Sequence, residues 1–406
     1  MKPIPFSPPR VDQKTIDAVT EVLKSGWITT GPKTRELEKR ISEYCGSEKT
    51  LCLNAWTNAA ELVLRWFGIG PGDEVIVPAY TYAATANIVV HTGATPVLVD
   101  IEADGYNMDL DQLMSRITSK TKAIMPVDMG GLPCDYDRIV AIASSAEAKK
   151  LFTPSHPNQE KLGRMLILSD AAHSFGAYYK GKKAGSQTDV AGFSFHAVKN
   201  LTTAEGGAVL LNLPAPFSND EIWKSLNISA LHGQTKDALS KTQAGQWRYD
   251  IVEAGYKCNM TDLQAAIGIV ELERYDNDTM VRRKEICRQY TEHFNGESWF
   301  NKPLFIDDIR ESSYHLYMLR IEHISEEQRD KVIQLVAEKG VSVNVHFQPI
   351  PLLSFYKNRG YKMSDYPNAW KNYACEISLP VYYDLTDEQV KQVSDSIREA
   401  IRSVMI

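Results

Sequence analysis

Short apolar runs rich in β-branched residues recur through the first half of the chain, at 50–53, 74–77, 96–99, 123–127, 165–168, 190–195 and 208–211, each bounded by Gly, Pro or Asp. Between several of them the apolar positions change to helical spacing, as at 57–67 and 81–91. Continuous apolar runs of strand length interleaved with helices predict an α/β architecture, a mostly parallel seven-stranded sheet covered on both faces. In such a sheet the groups that do chemistry gather at the carboxyl ends of the strands.

Ahead of this rhythm, residues 1–10 are Pro-rich and extended, and 12–25 form an amphipathic helix with Ile16, Val19, Val22 and Leu23 on one face. The loop Gly26-Trp27-Ile28-Thr29-Thr30-Gly31-Pro32 carries a large aromatic, either a packing anchor or a ligand wall, before a helix at 33–44. The polar stretch 144–163, with two prolines, reads as a surface insertion between a helix and the next strand. After about residue 212 the strand rhythm stops. Capping boxes at Thr261/Gln264, Ser325/Gln328 and Thr386/Gln389 open helices, the first running toward Phe294, and 314–321 and 342–347 alternate like strands. The expected organisation is a large α/β domain over 1–250, with an N-terminal arm at 1–25, and a smaller α+β domain over 251–406.

Composition narrows the function. The 406 residues carry a formal charge of −6 with Lys and Arg scattered, which is not the footprint of a nucleic-acid binder. Six cysteines lie far apart without a C-x-x-C pair, so neither a metal cluster nor a disulfide framework is expected. No window has the ~18 apolar residues of a membrane span and the N-terminus lacks a signal-peptide core, so the expectation is a soluble cytoplasmic protein.

Candidate chemistry sits at the ends of the predicted strands. Gly68-Ile69-Gly70-Pro71-Gly72-Asp73 precedes its strand and is read as a turn, not a dinucleotide loop. The junction Asn54-Ala55-Trp56-Thr57-Asn58 hands a strand directly to a helix, whose free N–H groups suit a phosphate. Asp170 closes the strand at 165–168, as a helix cap or as the partner of a cation; His173 beside it is a ligand group or an ordinary buried histidine. Tyr80 and Tyr82 follow the strand at 74–77, where an aromatic packs in the core or covers a flat ligand. Lys199 follows Phe193-Ser194-Phe195-His196 and precedes a Gly-rich turn, so partial dehydration would free its amine, although most lysines are simply solvated. A phosphate cradle, an aromatic, an aspartate and a lysine in this order are the parts of a pyridoxal-phosphate (PLP) enzyme.

The segments GWITTGPKT (26–34), GIGPGDEVIVPAYTYAATAN (68–87), TGATPVLVDI (92–101), DAAHSFGAYYKG (170–181), FSFHAVKNLTTAEGG (193–207), GYKCNMTDLQAAIG (255–268) and SLPVY (378–382) resemble the DegT/DnrJ/EryC1/StrS sugar-nucleotide aminotransferases, which have the aspartate-aminotransferase fold, type I of the PLP-dependent transferases. The resemblance looks closest to the branch that aminates a UDP-linked 4-keto pentose in lipid A modification. It implies that Lys199 holds PLP as a Schiff base, Asp170 pairs with the pyridine nitrogen, Tyr82 stacks on the ring and His173 lies near the ring hydroxyl. It implies a phosphate seat at Ser194 and the Trp56 and Thr57 backbone, a homodimer in which Lys257 or Asn259 reaches the neighbouring subunit's phosphate, and substrate contacts at Trp27, Thr29, His196 and His346. The implied reaction moves an amino group from glutamate to a nucleotide-linked keto sugar for surface polysaccharide or lipopolysaccharide, through pyridoxamine phosphate (PMP). Against the family pattern, Ala55-Trp56-Thr57 replaces Ser-Gly-Thr or Ser-Ala-Thr, which removes a hydroxyl and places a bulky ring in the cradle. The rivals are a related keto-sugar dehydratase, in which histidine stands at the position of Lys199, and a non-catalytic regulator that retains the fold.

Overall fold

The seven apolar runs form one sheet in the computed structural model, which describes residues 3–236 and 248–405; residues 1 and 2 of the Pro-rich arm lie outside it. We label the strands β1 (Lys49–Leu53), β2 (Glu74–Pro78), β3 (Thr95–Val99), β4 (Thr121–Ile124), β5 (Leu166–Asp170), β6 (Val190–Ser194) and β7 (Gly207–Leu211). Their spatial order is β1-β7-β6-β5-β4-β2-β3, and β7 alone runs antiparallel to its neighbours. The start of β7 therefore shares an edge with the carboxyl ends of β1, β2, β5 and β6. Buried residues of β1, β2, β5 and β7 pack with those of helix α3 (Trp56–Trp66) and helix α4 (Ala83–His91) in the largest apolar cluster.

Helices α1 (Gln13–Ser25) and α2 (Pro32–Cys45) pack with α5 (Asp262–Arg274), whose capping box forms as predicted. Asp262 reaches back and accepts from the backbone N–H of Gly31, Lys33 and Thr34 at 2.8, 3.0 and 2.9 Å, so α2 is capped from across the fold. The amphipathic reading of α1 is only half met: Val22 is buried, whereas Ile16 and Leu23 are 48% and 56% exposed. One widened turn at Tyr275–Thr279 joins α5 to α6 (Met280–Phe294). A second core joins α6, α7 (Glu326–Glu338) and α8 (Asp387–Val404) to a sheet of β8 (Phe300–Asn301), β9 (Tyr317–Ile321) and β10 (Glu376–Leu379), with Ile4 of the arm buried in it. The capping boxes of α7 and α8 also form.

One expectation is refined and one corrected. The stretch 144–163 lies between a helix and the next strand as expected, and it carries two short helices, Ala146–Leu151 and Pro157–Leu162. Fully buried Gln159 donates to the Phe67 carbonyl at 3.0 Å and Asn158 to that of Trp66 at 2.8 Å, so polar side chains cap the end of α3. The alternating stretch 342–347 forms no strand and makes one bridge, Asn344 to Ser378; the next amide it offers, that of His346, donates to the Glu376 carboxylate at 3.0 Å instead.

Candidate active site

The shared sheet edge opens on a cavity of about 330 Å³ lined by, among others, Trp56, Thr57, Tyr82, Asp170, Ser194 and Lys199. Asp170 and Ser194 are the last residues of their strands, and the others stand a few residues past a strand end. At the start of α3 no side chain caps the helix, so the first-turn N–H groups are available at the cavity wall beside Thr57. Close approach of this turn to the sheet requires Gly207, because a Cβ there would fall 2.2 Å from the Trp56 nitrogen. Ser194, the last residue of β6, faces the same corner.

Lys199 sits on a closed loop: its N–H donates to the His196 carbonyl at 2.9 Å, and the Thr203 N–H returns to the Phe195 carbonyl at 2.9 Å. Buried Asn200 anchors the loop, donating to the Tyr275 hydroxyl at 3.0 Å and the Ser313 carbonyl at 2.8 Å while its oxygen accepts from His315 Nδ1 at 2.8 Å. Burial lowers the Lys199 amine to about 8, against the opposing pull of Asp170, so the neutral, nucleophilic form is far more populated near physiological pH than for an ordinary lysine, though still the minority. We therefore expect imine formation with a carbonyl reagent to accelerate as pH rises through about 8 and to level off above it, as read by stopped-flow absorbance; a midpoint near the ordinary lysine value of 10.5 contradicts a dehydrated amine.

Asp170, at the end of β5, is 6% exposed and fully engaged on one side. Its Oδ1 accepts from the Trp56 indole N–H at 2.8 Å and the Ala172 N–H at 3.3 Å, and its Oδ2 from the Thr85 hydroxyl at 2.8 Å. Burial raises its pKa, and the Thr85, Ala172, Lys199 and Trp56 partners counter that rise. The Trp56 ring does not crowd the cradle. It turns inward over β6, where a Cβ on Gly192 would fall 1.7 Å from the ring. Gly192→Ala is accordingly expected to cost about 1–3 kcal/mol by overpacking, measured as a lowered denaturant midpoint; an unchanged midpoint contradicts this placement of the ring.

A family model described as the DegT/DnrJ/EryC1/StrS aminotransferase family matches residues 9–156 and 158–398. The chain belongs to that family. It is similar over 99% of its length to Spr1654 of Streptococcus pneumoniae in the PMP form, a protein assigned as a sugar aminotransferase, with 47% identity, a TM-score of 0.95 and 100% of that chain covered. The spore coat polysaccharide biosynthesis protein SpsC of Bacillus subtilis is 36% identical over 98% of this chain and 97% of its own. Helicobacter pylori PseC, an aminotransferase involved in pseudoaminic acid biosynthesis, is 27% identical, with a TM-score of 0.85, 99% of this chain and 100% of that one covered. The DegT/DnrJ/EryC1/StrS member described here is thus a PLP-dependent sugar aminotransferase with the fold its sequence predicts.

The residues present fit that cofactor. Among the described residues lining the cavity Lys199 is the lone lysine, the uncapped α3 turn offers N–H donors for a phosphate, and Tyr82 leaves 61% of its surface exposed at the wall. His173 lines the same cavity, accepts from the Gly130 N–H at 3.3 Å through Nδ1, and is held neutral by burial. His196 and His346 also line it; burial lowers His346 to about 3. Other sequence-selected residues lie elsewhere in this chain. The Trp27 indole packs on Gly31 and donates to the Thr30 carbonyl at 3.1 Å, and the Thr29 carbonyl accepts from the Asp262 N–H, both outside the cavity lining. Lys257 bonds to Asn259 and lines a separate small cleft with Asn58 and Glu61, while Asn259 donates to Thr30 Oγ1 at 2.6 Å.

Sequence reasoning missed Thr85, His315, Phe6 and Glu376. Thr85 lies one helical turn from Thr81, and the two hydroxyls meet at 3.0 Å, a spacing visible in the sequence but shared by many solvated threonines. Phe6 of the arm stacks on His346 with ring centroids 5.3 Å apart, and both line the cavity. Buried Glu376, raised to about 8 by desolvation, accepts from Ser378, whose hydroxyl lies 2.9 Å from His346 Nδ1. No local pattern marks these three, because tertiary packing alone brings them to the site.

Proposed function

We propose that the enzyme transfers an amino group from glutamate to a nucleotide-linked keto sugar, most readily a 4-keto sugar, for surface polysaccharide or lipopolysaccharide biosynthesis in the cytoplasm. The observation that carries this reading is the pairing, in one cavity, of a dehydrated Lys199 amine with the buried Asp170 carboxylate. When bound, PLP supplies an electron-withdrawing ring and carries the amino group between the two substrates. Lys199 would hold the cofactor through its amine and, once freed by the donor, would take the proton from the donor carbon and return it, acting as base and then acid; the sugar half would run the same transfer in reverse. Asp170 would keep the ring nitrogen protonated. Thr57, Ser194 and the α3 amides would hold the phosphate, Tyr82 would cover the ring face and His173 would lie near the ring hydroxyl. His196 and His346 are placed to contact the sugar.

A homodimer belongs to this reading, with the site closed between the 1–250 and 251–406 domains and completed by the partner. Its support is the exposed apolar set Val11, Ile16, Leu23 and Ile28 around α1, which a second copy would cover. Lys257 or Asn259 is assigned to the phosphate of the neighbouring subunit, and Trp27 and Thr29 to the substrate. The names of SpsC, for spore coat polysaccharide biosynthesis, and PseC, for pseudoaminic acid biosynthesis, support a biosynthetic role of this kind. Lysine at 199 argues against the dehydratase rival, and a regulator has no need of the lysine, aspartate and aromatic together. The test is a panel of 3-keto and 4-keto sugars linked to UDP, dTDP or GDP, with glutamate as donor and 2-oxoglutarate as readout. Turnover with a 4-keto member is expected; turnover confined to simple keto acids contradicts the proposal.

A further inference from the structure

Three donors converge on Asp170. A carboxylate offers about four lone-pair positions, and the Trp56 indole, the Ala172 amide and the Thr85 hydroxyl occupy three of them. The Trp56 and Thr85 donors grip different oxygens, so rotation about the carboxylate axis breaks both bonds. Trp56 is itself fixed: it is 6% exposed, its ring lies against Gly192, and Gly192 is the β6 partner of Asp170 in the sheet register. The residue that departs from the small-residue form of the cradle therefore has a specific destination, three strands away from β1 in the sheet, on the carboxylate itself.

Resting on the assignment of Asp170 to the ring nitrogen, we infer that Trp56 is a positioning residue: with Thr85 opposing it, the indole N–H locks the Asp170 carboxylate in one orientation and leaves a single lone pair open to the cavity. The arrangement has two consequences. The acceptor is aimed before the cofactor arrives, so no reorganisation is needed to meet a pyridinium N–H. A neutral donor in a buried site also favours the ionised carboxylate without adding a cation that would repel the ring. Lys199 is the charged side chain that acts on Asp170, and His173 nearby is held neutral.

The test reconstitutes the holoenzyme with PLP labelled with nitrogen-15 in the ring and follows the ring-nitrogen chemical shift against pH. In Trp56→Phe the nitrogen is expected to lose its proton about one pH unit lower than in the wild type, the size of one lost hydrogen bond to a charged group. Thr85→Val should shift it in the same direction. Because Phe leaves space beside Gly192, a second protein carries β-(3-benzothienyl)alanine at position 56, which keeps the ring volume and removes the N–H; it should titrate like Trp56→Phe. Asp170→Asn serves as the reference and should hold the nitrogen neutral throughout. If Asp170→Asn behaves so while both replacements of Trp56 titrate as the wild type, the positioning role is overturned. A nitrogen still protonated in Asp170→Asn overturns the assignment of Asp170 beneath it.

Discussion

Lys199→Ala is expected to lose the covalent cofactor and at least ~1,000-fold of its amino-transfer rate, since both nucleophilic attachment and proton movement pass through the same nitrogen. Among the described residues, the cavity lining holds no second lysine to take over. The three histidines His173, His315 and His346 are neutral by burial, and an imidazole nitrogen cannot form the same stable imine. Borohydride reduction followed by peptide mass spectrometry reads the outcome: the wild type should carry the reduced adduct on the peptide containing residue 199, and the variant none. An adduct of unchanged yield in Lys199→Ala would sink the assignment. The fold should survive, because the loop is held through Asn200 and through backbone bonds at 196, 199 and 203, not through the amine.

The second large effect is expected of Asp170→Asn. The substitution keeps the shape but removes the negative charge, and its NH₂ group must face either the Trp56 or the Thr85 donor, which the carboxylate accepted from at 2.8 Å each. One buried hydrogen bond is lost, a cost of about 1–3 kcal/mol that the removal of a buried charge partly offsets, so the protein should remain folded. Turnover should nevertheless fall by about 100-fold or more, the usual scale of a compromised proton-transfer step, because the ring nitrogen loses the partner that keeps it protonated. Steady-state rates at saturating cofactor measure this; unchanged rates would mean that the ring nitrogen does not depend on Asp170.

Features of the chain that are local in origin were legible in its sequence. The three capping boxes form because Thr or Ser and the Gln three residues on satisfy each other's backbone partners without help from the rest of the fold. The seven strands were visible because buried parallel strands are apolar on both faces and so stand out as short continuous runs. Misreadings arose where distant groups decide. The stretch 342–347 alternates like a strand, yet the His346 amide finds a carboxylate 30 residues on, and the pattern cannot announce that partner. The stretch 144–163 is polar because Gln159 and Asn158 serve as caps for another helix, a use that composition does not distinguish from solvation. At the site, Lys199, Asp170 and Tyr82 could be singled out because each follows a recognisable strand, whereas Ser194, inside the run 190–195, came only with the family resemblance. The inward turn of Trp56 was not legible, since it depends on the absence of a side chain at Gly192, 136 residues later in the chain.

Amino transfer to a nucleotide-linked keto sugar can be followed atom by atom by isotope labelling. With nitrogen-15 glutamate and an accepted keto sugar, mass spectrometry of the sugar product should show the carbonyl oxygen replaced by a labelled amino group. A product that has lost a hydroxyl without gaining labelled nitrogen, or a keto sugar returned unchanged while glutamate is consumed, would contradict it.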